Sequence, residues 1–288
     1  MTYLSILGTV KMEKLNYTLC KKLHRDTKTA KRRTNMFNIT KSTPKTKLIA
    51  ILSIFTALYA VLRIIPTVPM IGASGASFSL SDVVAPIYGL ILGPYIGGLS
   101  VIIGSLIAFF GKPPVFMGLD FLPATVAAVS AGLLVKRKWI YAIGLNAVLL
   151  AAFLIHPNTS VFVDYSIGST ALTFPFAWLH LIAFIVLISP LGRKVAQWVK
   201  TTNTAKITVA VAILFFVGTM MQHLMGNLLY ETIMAQPLGH IPVTSYPANW
   251  LFVFPLYPIE RSVLVVFGTI IGTSLLKVLR STSLFPEE

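Results

Sequence analysis

The chain has 288 residues, 55% of them apolar and 11% charged, with a mean hydropathy of +0.78 and a formal charge of +15. An average soluble domain is excluded, because the apolar residues fall in blocks of about 15–25, near the ~20 that cross a bilayer as a helix. Half of the Lys and Arg precede residue 48, and no helix-turn-helix pattern, finger spacing or aromatic RNA-binding signature accompanies them, so membrane topology accounts for the charge better than nucleic acid.

Residues 1–46 read as a basic cytoplasmic tail. Met36 is an alternative start that would make 1–35 an upstream extension, and MTYLSILGTV is too short and too soon followed by charge for a signal peptide. Cys20, the single cysteine, excludes an intrachain disulfide and any multi-cysteine metal site. The membrane domain spans 47–280, with a short tail at 281–288. Its apolar segments lie at about 47–65, 80–93, 94–110, 121–135, 139–155, 171–191, 206–229 and 258–277, with a further stretch at 249–257. They predict an all-α bundle of six to eight transmembrane helices. Gly93-Pro94 divides 78–111 into two helix-length halves, which predicts a tight hairpin turning at an interface.

If all eight segments cross, every Lys and Arg except Arg63, Lys112 and Arg261 falls on one side. The positive-inside bias makes that side cytoplasmic and places both termini there. The loops opposite, 66–81, 111–120, 156–170 and 230–257, are rich in Pro, Gly, Ser and aromatics. With the helix ends beside them they hold Asp82, Asp120, Asp164, Glu231 and Glu260, a composition suited to a cup around a solute.

Candidate site residues follow from that placement. Arg63, Ser81 and Asp82 flank the first loop, and Asp120 and Asp164 come from the middle loops. His223 and Asn227 sit four apart on the seventh segment, where polar side chains face a cavity or bond another helix. His180 and Asn146 read better as interhelical hydrogen bonds. In the stretch from Asn249 to Arg261, Pro258 suits a first helical turn and puts Glu260 and Arg261 near the outer mouth. Trp250 and Tyr257 there can stack on a planar solute or can form an interfacial aromatic belt.

Ser79-Leu80-Ser81-Asp82, the Gly89 to Gly93 step, Gly93-Pro94 and Gly97-Gly98 resemble the second and third helices of the substrate-binding S components of energy-coupling factor transporters. SIFTALYAVLRIIP at 53–66 is similar to their first helix and the loop that caps their binding site. The resemblance covers about 47–111. It implies a membrane-embedded protein of about six helices that captures a vitamin or similar micronutrient and performs no chemistry. Two cytoplasmic ATPases and a transmembrane coupling protein would supply the energy. The chain departs from the family in having eight segments and in lacking the N-terminal Met-His of the cobalt and nickel subclass.

In that family the coupling protein docks on small-residue faces of the first and third helices. Here Ser53 and Ala57, and Ser100, Gly104 and Ala108, form rows of that kind, although such rows read better as packing within one bundle. Enzyme readings find no support: no phosphate-cradling Gly-x-x-x-x-Gly-Lys-Ser/Thr, no His-Glu-x-x-His and no nucleophile elbow occurs, and no cofactor is expected. His156, His223 and His240 match no metal-ligand spacing. The competing reading is a proton- or cation-coupled secondary transporter in which Glu260, Asp82 or His223 titrates.

Overall fold

The computed structural model describes residues 45–70, 77–167 and 170–281; the expectations for the tail, Cys20 and Met36, and for 282–288, lie outside them. The chain enters through α1 (Lys45–Ile64), passes a short hairpin of β1 (Pro66–Pro69) and β2 (Ser77–Ser79), and continues into α2 (Ser81–Ala108). Then come α3 (Leu122–Val135), α4 (Trp139–Ile155), a second hairpin of β3 (Phe162–Ile167) and β4 (Thr170–Pro175), and α5 (Trp178–Ile188). The rest is α6 (Pro190–Trp198), α7 (Thr204–Ile233), α8 (Tyr246–Val253) and α9 (Leu256–Ser281).

By length and apolarity α1, α2, α7 and α9 can each cross a membrane, and α5 with α6, bent by 64°, makes a fifth candidate. The chain is therefore a mostly helical, multi-pass membrane protein. α2 reaches that length only by including its turn. Gly93 breaks the helix with φ 79° and ψ 179°, a conformation open to glycine, and Pro94 follows. A Cβ on Gly97 would lie 2.6 Å from the Tyr88 carbonyl and 3.0 Å from the Gly89 nitrogen. Residues nine apart would be about 13 Å apart along a straight helix, so the two halves fold back on each other.

α3 closes this hairpin. Cβ atoms on Gly89 and Gly132 would overlap the Ala128 carbonyl and the Pro94 nitrogen, so three backbones meet where side chains are absent. α1 packs on the second half of α2, where a Cβ on Gly104 would lie 2.9 Å from the Thr56 carbonyl. Ser100, Gly104 and Ala108 are thus buried inside the bundle and offer no outer docking face, whereas Ser53 and Ala57 on α1 remain exposed. α7 runs through the centre, with Phe215, Val217, Met220 and Met221 fully buried, and α9 approaches it through Gly268 and Gly272 against Phe215.

The strands correct the all-α expectation. Residues 171–175, expected at the start of a membrane segment, pair as β4 with β3 in antiparallel register from Phe162↔Pro175 to Ile167↔Thr170, and α5 starts at Trp178. The β-branched and aromatic residues of FVDYSI and TALTFP favour strand over helix.

At the end of the bundle opposite these hairpins, the Lys136 side chain lies against Gly93, Lys138 reaches the Tyr95 hydroxyl at 3.3 Å and Arg193 stacks on Trp139 at 4.4 Å. Among the described residues this end carries no acidic side chain. Burial, followed by the nearby charges of Lys200 and Lys138, pushes the Lys136 ammonium down to about 8. An unfolded chain then holds a proton at this position that the folded chain has lost between pH 8 and the ordinary lysine value, so this group makes stability rise with pH across that window. Melting in detergent at pH 7.5 and 9.5 is expected to show the rise, and Lys136→Met is expected to flatten it.

Candidate functional site

An open cavity lies at the end away from the basic loops. Its walls come from the end of α1, β2 and the start of α2, the 109–121 loop, the last third of α7, and α8 with the start of α9. Of its lining residues, Phe116, Tyr230, Trp250 and Tyr257 are also part of the buried apolar core.

Asp82 stands at the first turn of α2, where a carboxylate complements the helix N-terminus. It accepts hydrogen bonds from the Ser79 backbone at 2.9 Å, the Ser79 hydroxyl at 3.3 Å and the Gln222 amide of α7 at 2.7 Å. The first loop is thereby tied to the central helix. Asp120 folds the 109–121 loop by accepting from the backbone of Val115 and Phe116 at 2.8 and 2.9 Å. Arg63 donates to the Asp120 carbonyl at 3.2 Å, with the carboxylate 3.8 Å away. Lys112 donates to the Ser77 and Phe78 carbonyls at 2.6 and 3.3 Å, and burial holds its ammonium below the usual lysine range. Arg261, only 2% exposed, pairs with Glu260 at 2.7 Å and faces the Phe78 ring at 5.8 Å. Three cations thus face three carboxylates around one cavity.

The aromatic wall is fixed as firmly. Trp250 donates to the Asn158 carbonyl at 2.7 Å and makes edge contacts with Phe153, Phe176 and Tyr230. Asn158 is itself held by the Glu231 carbonyl at 2.9 Å, and Thr159 donates to the buried Glu231 carboxylate at 2.6 Å. Tyr257 donates to the Phe176 carbonyl at 2.7 Å and stacks on His223 and His180, whose rings bond each other at 3.0 Å. His180 therefore makes the interhelical bond expected of it, while Asn146 is buried with neither amide atom bonded.

Of the residues expected to bind solute, Arg63, Asp82, Asp120, His223 and Asn227 line this cavity, as do Trp250, Tyr257, Glu260 and Arg261. Two do not. Ser81 is fully buried and bonded to the Ser79 hydroxyl at 2.8 Å, because its position on the first turn of α2 points it inward. Asp164 is exposed on β3, paired across the hairpin with Thr173 at 2.6 Å. Arg261 also sits deeper than the mouth position expected for it.

Sequence reasoning missed Lys112, Gln222, Gly226 and Tyr230. Gln222, His223, Gly226, Asn227 and Tyr230 follow the one-face spacing of a helix, so the period that marked His223 and Asn227 extends to the other three. Lys112 was marked only as an exception to the basic-inside pattern.

The chain is 30% identical over 187 residues to the uncharacterized protein MJ0923 of Methanocaldococcus jannaschii, a match covering 64% of this chain and 56% of that protein. The chain thus spans little more than half the length of this relative. No protein-family profile and no solved structure matches it.

Proposed function

We propose that this protein is the substrate-capture component of an energy-coupling factor type transporter. It resides in the cell membrane and takes up a vitamin or related micronutrient with the help of separate ATPase and transmembrane coupling subunits. The observation that carries the reading is the cavity itself, which gathers three cations, three carboxylates and an aromatic wall at one end of the bundle, while the basic loops lie at the other. With six to eight crossings and both termini in the cytoplasm, the cavity opens outward and binds its solute before any partner acts.

The exposed face of α1, with Ser53 and Ala57 among Ile54, Leu58 and Val61, supports docking of the coupling subunit there. Ala57→Trp is expected to abolish uptake in cells while leaving solute binding by the purified protein unchanged. Reconstitution in liposomes tests the main reading. Tight binding without transport is the expected outcome, and gradient-driven uptake with no ATPase present overturns it in favour of a proton- or cation-coupled carrier.

A further inference from the structure

We infer that the basic end of the bundle binds an anionic phospholipid, with the phosphate headgroup on Lys136, Arg137 and Lys138 at the turn between α3 and α4 and the chains on the exposed apolar surface beside them. This site lies at the end away from the cavity and is independent of the solute held there.

Packing gathers the cations. Lys136 lies against Gly93 in the turn of α2, and Lys138 reaches the hydroxyl of Tyr95, two residues on, at 3.3 Å. Lys200, just after α6, is near enough for its charge to act on Lys136 and for that of Arg137 to act on it. Arg193 stacks on Trp139, the first residue of α4, at 4.4 Å. Among the described residues no acidic side chain stands at this end. Helix dipoles do not compensate either. The C-termini of α3 and of the first half of α2 meet here, each equivalent to about half a negative charge, but the N-termini of α4 and of the second half of α2 meet here too and cancel them. Like charges held beside an apolar bundle repel more strongly than in water, and an anion from outside the chain relieves that repulsion.

The turn keeps its charge at the expense of the backbone. The Lys138 N–H donates to the Leu133 carbonyl at 2.8 Å and the Arg137 N–H to the Leu134 carbonyl at 3.2 Å, the paired bonds of a helix end whose left-handed residue is most often glycine. Arg137 occupies that position with φ 61°, which strains any residue that carries a Cβ. A guanidinium thus stands where the fold is better served by glycine, as at a binding site.

The surroundings favour a lipid over a soluble anion. Tyr95 is 72% exposed, and Leu99 one turn further along α2 and Ile140 and Tyr141 at the start of α4 are exposed as well. In a multi-pass protein such faces meet acyl chains, and tyrosine and tryptophan at one level mark the headgroup boundary. A free phosphate leaves this surface uncovered, whereas a phospholipid covers it and brings its phosphate to the cations beside it.

The test uses the full chain in maltoside detergent with phosphatidylglycerol, phosphatidylcholine of the same chains and soluble glycerol phosphate. Native mass spectrometry reads retained lipid, and melting reads stabilisation. The wild type is expected to retain phosphatidylglycerol at least tenfold better than phosphatidylcholine and to melt higher with it, with no effect of glycerol phosphate at the same concentration. Arg137→Gly relieves the backbone, so its melting temperature without lipid is expected to stay level or rise while its lipid preference falls at least threefold. Lys138→Met, at an exposed position, is expected to lower the preference similarly, and the two together to erase it. Lys277→Met removes an exposed cation of the same end on α9 and is expected to change nothing. Equal retention of the two lipids or full preference in the double variant overturns the inference. So does an equal loss in Lys277→Met and Arg137→Gly, which is diffuse attraction, or stabilisation by glycerol phosphate as large as that by lipid, which is a soluble-anion site.

Discussion

Gly89→Ala is expected to lower the melting temperature of the detergent-purified protein sharply, and Gly89→Leu to prevent its accumulation. The added Cβ overlaps the Ala128 carbonyl, a backbone atom of α3 that cannot rotate aside, and the same helix approaches Pro94 through Gly132. Overpacking of a core typically costs about 1–3 kcal/mol where side chains can yield, and here no side chain is present to do so. The cost is therefore expected at or above the top of that range. Gly144→Ala on α4 is the matched control, because a Cβ there meets nothing within 4 Å and the better helix former replaces glycine. Its melting temperature is expected to stay level or rise. Equal effects at the two positions would show that the hairpin and α3 do not meet as described.

Asp120→Ala is expected to destroy solute binding and to loosen the 109–121 wall. The carboxylate satisfies two backbone N–H groups and lies beside Arg63, so removing it leaves those two donors without their acceptor and Arg63 without a neighbouring counter-charge. Each buried group left unsatisfied costs about 1–3 kcal/mol. The loop has no secondary structure of its own over 112–120 to compensate. Limited proteolysis is expected to cut the variant between Gly111 and Leu122 much faster than the wild type, with the remaining bundle intact. Asp120→Asn retains one acceptor and is expected to fall between the two. Unchanged cleavage in Asp120→Ala would mean that the loop is held by other contacts.

Much of the architecture was legible in the residues because its causes are local. The turn at Gly93-Pro94 follows from backbone chemistry, since a positive φ suits glycine and Pro94 cannot continue the ladder of the preceding helix. The placement of Arg63, Asp82, His223 and Glu260 at one end of the bundle follows from helix lengths and alternation. The hairpin of β3 and β4 was not legible in this way. Its second strand runs straight into the 11-residue apolar helix α5, and the hydropathy signal of that helix absorbs it. The row of Ser100, Gly104 and Ala108 was legible as a small-residue face, but not which neighbour it meets. A coupling subunit and α1 require the same close approach of backbones, and only the packing of Thr56 on Gly104 decides between them.

The amino-acid pattern alone determined a helical membrane chain with a basic end and an acidic, aromatic end, because backbone hydrogen bonding in lipid and the placement of charge at its boundaries act residue by residue. Tertiary structure alone decided which polar groups share a cavity. The bond from Gln222 to Asp82 joins positions 140 residues apart, and no periodicity along the chain encodes that meeting. It arises from the close crossing of α2, α3 and α7, which brings two helix faces together beside the cavity that Gly226 lines.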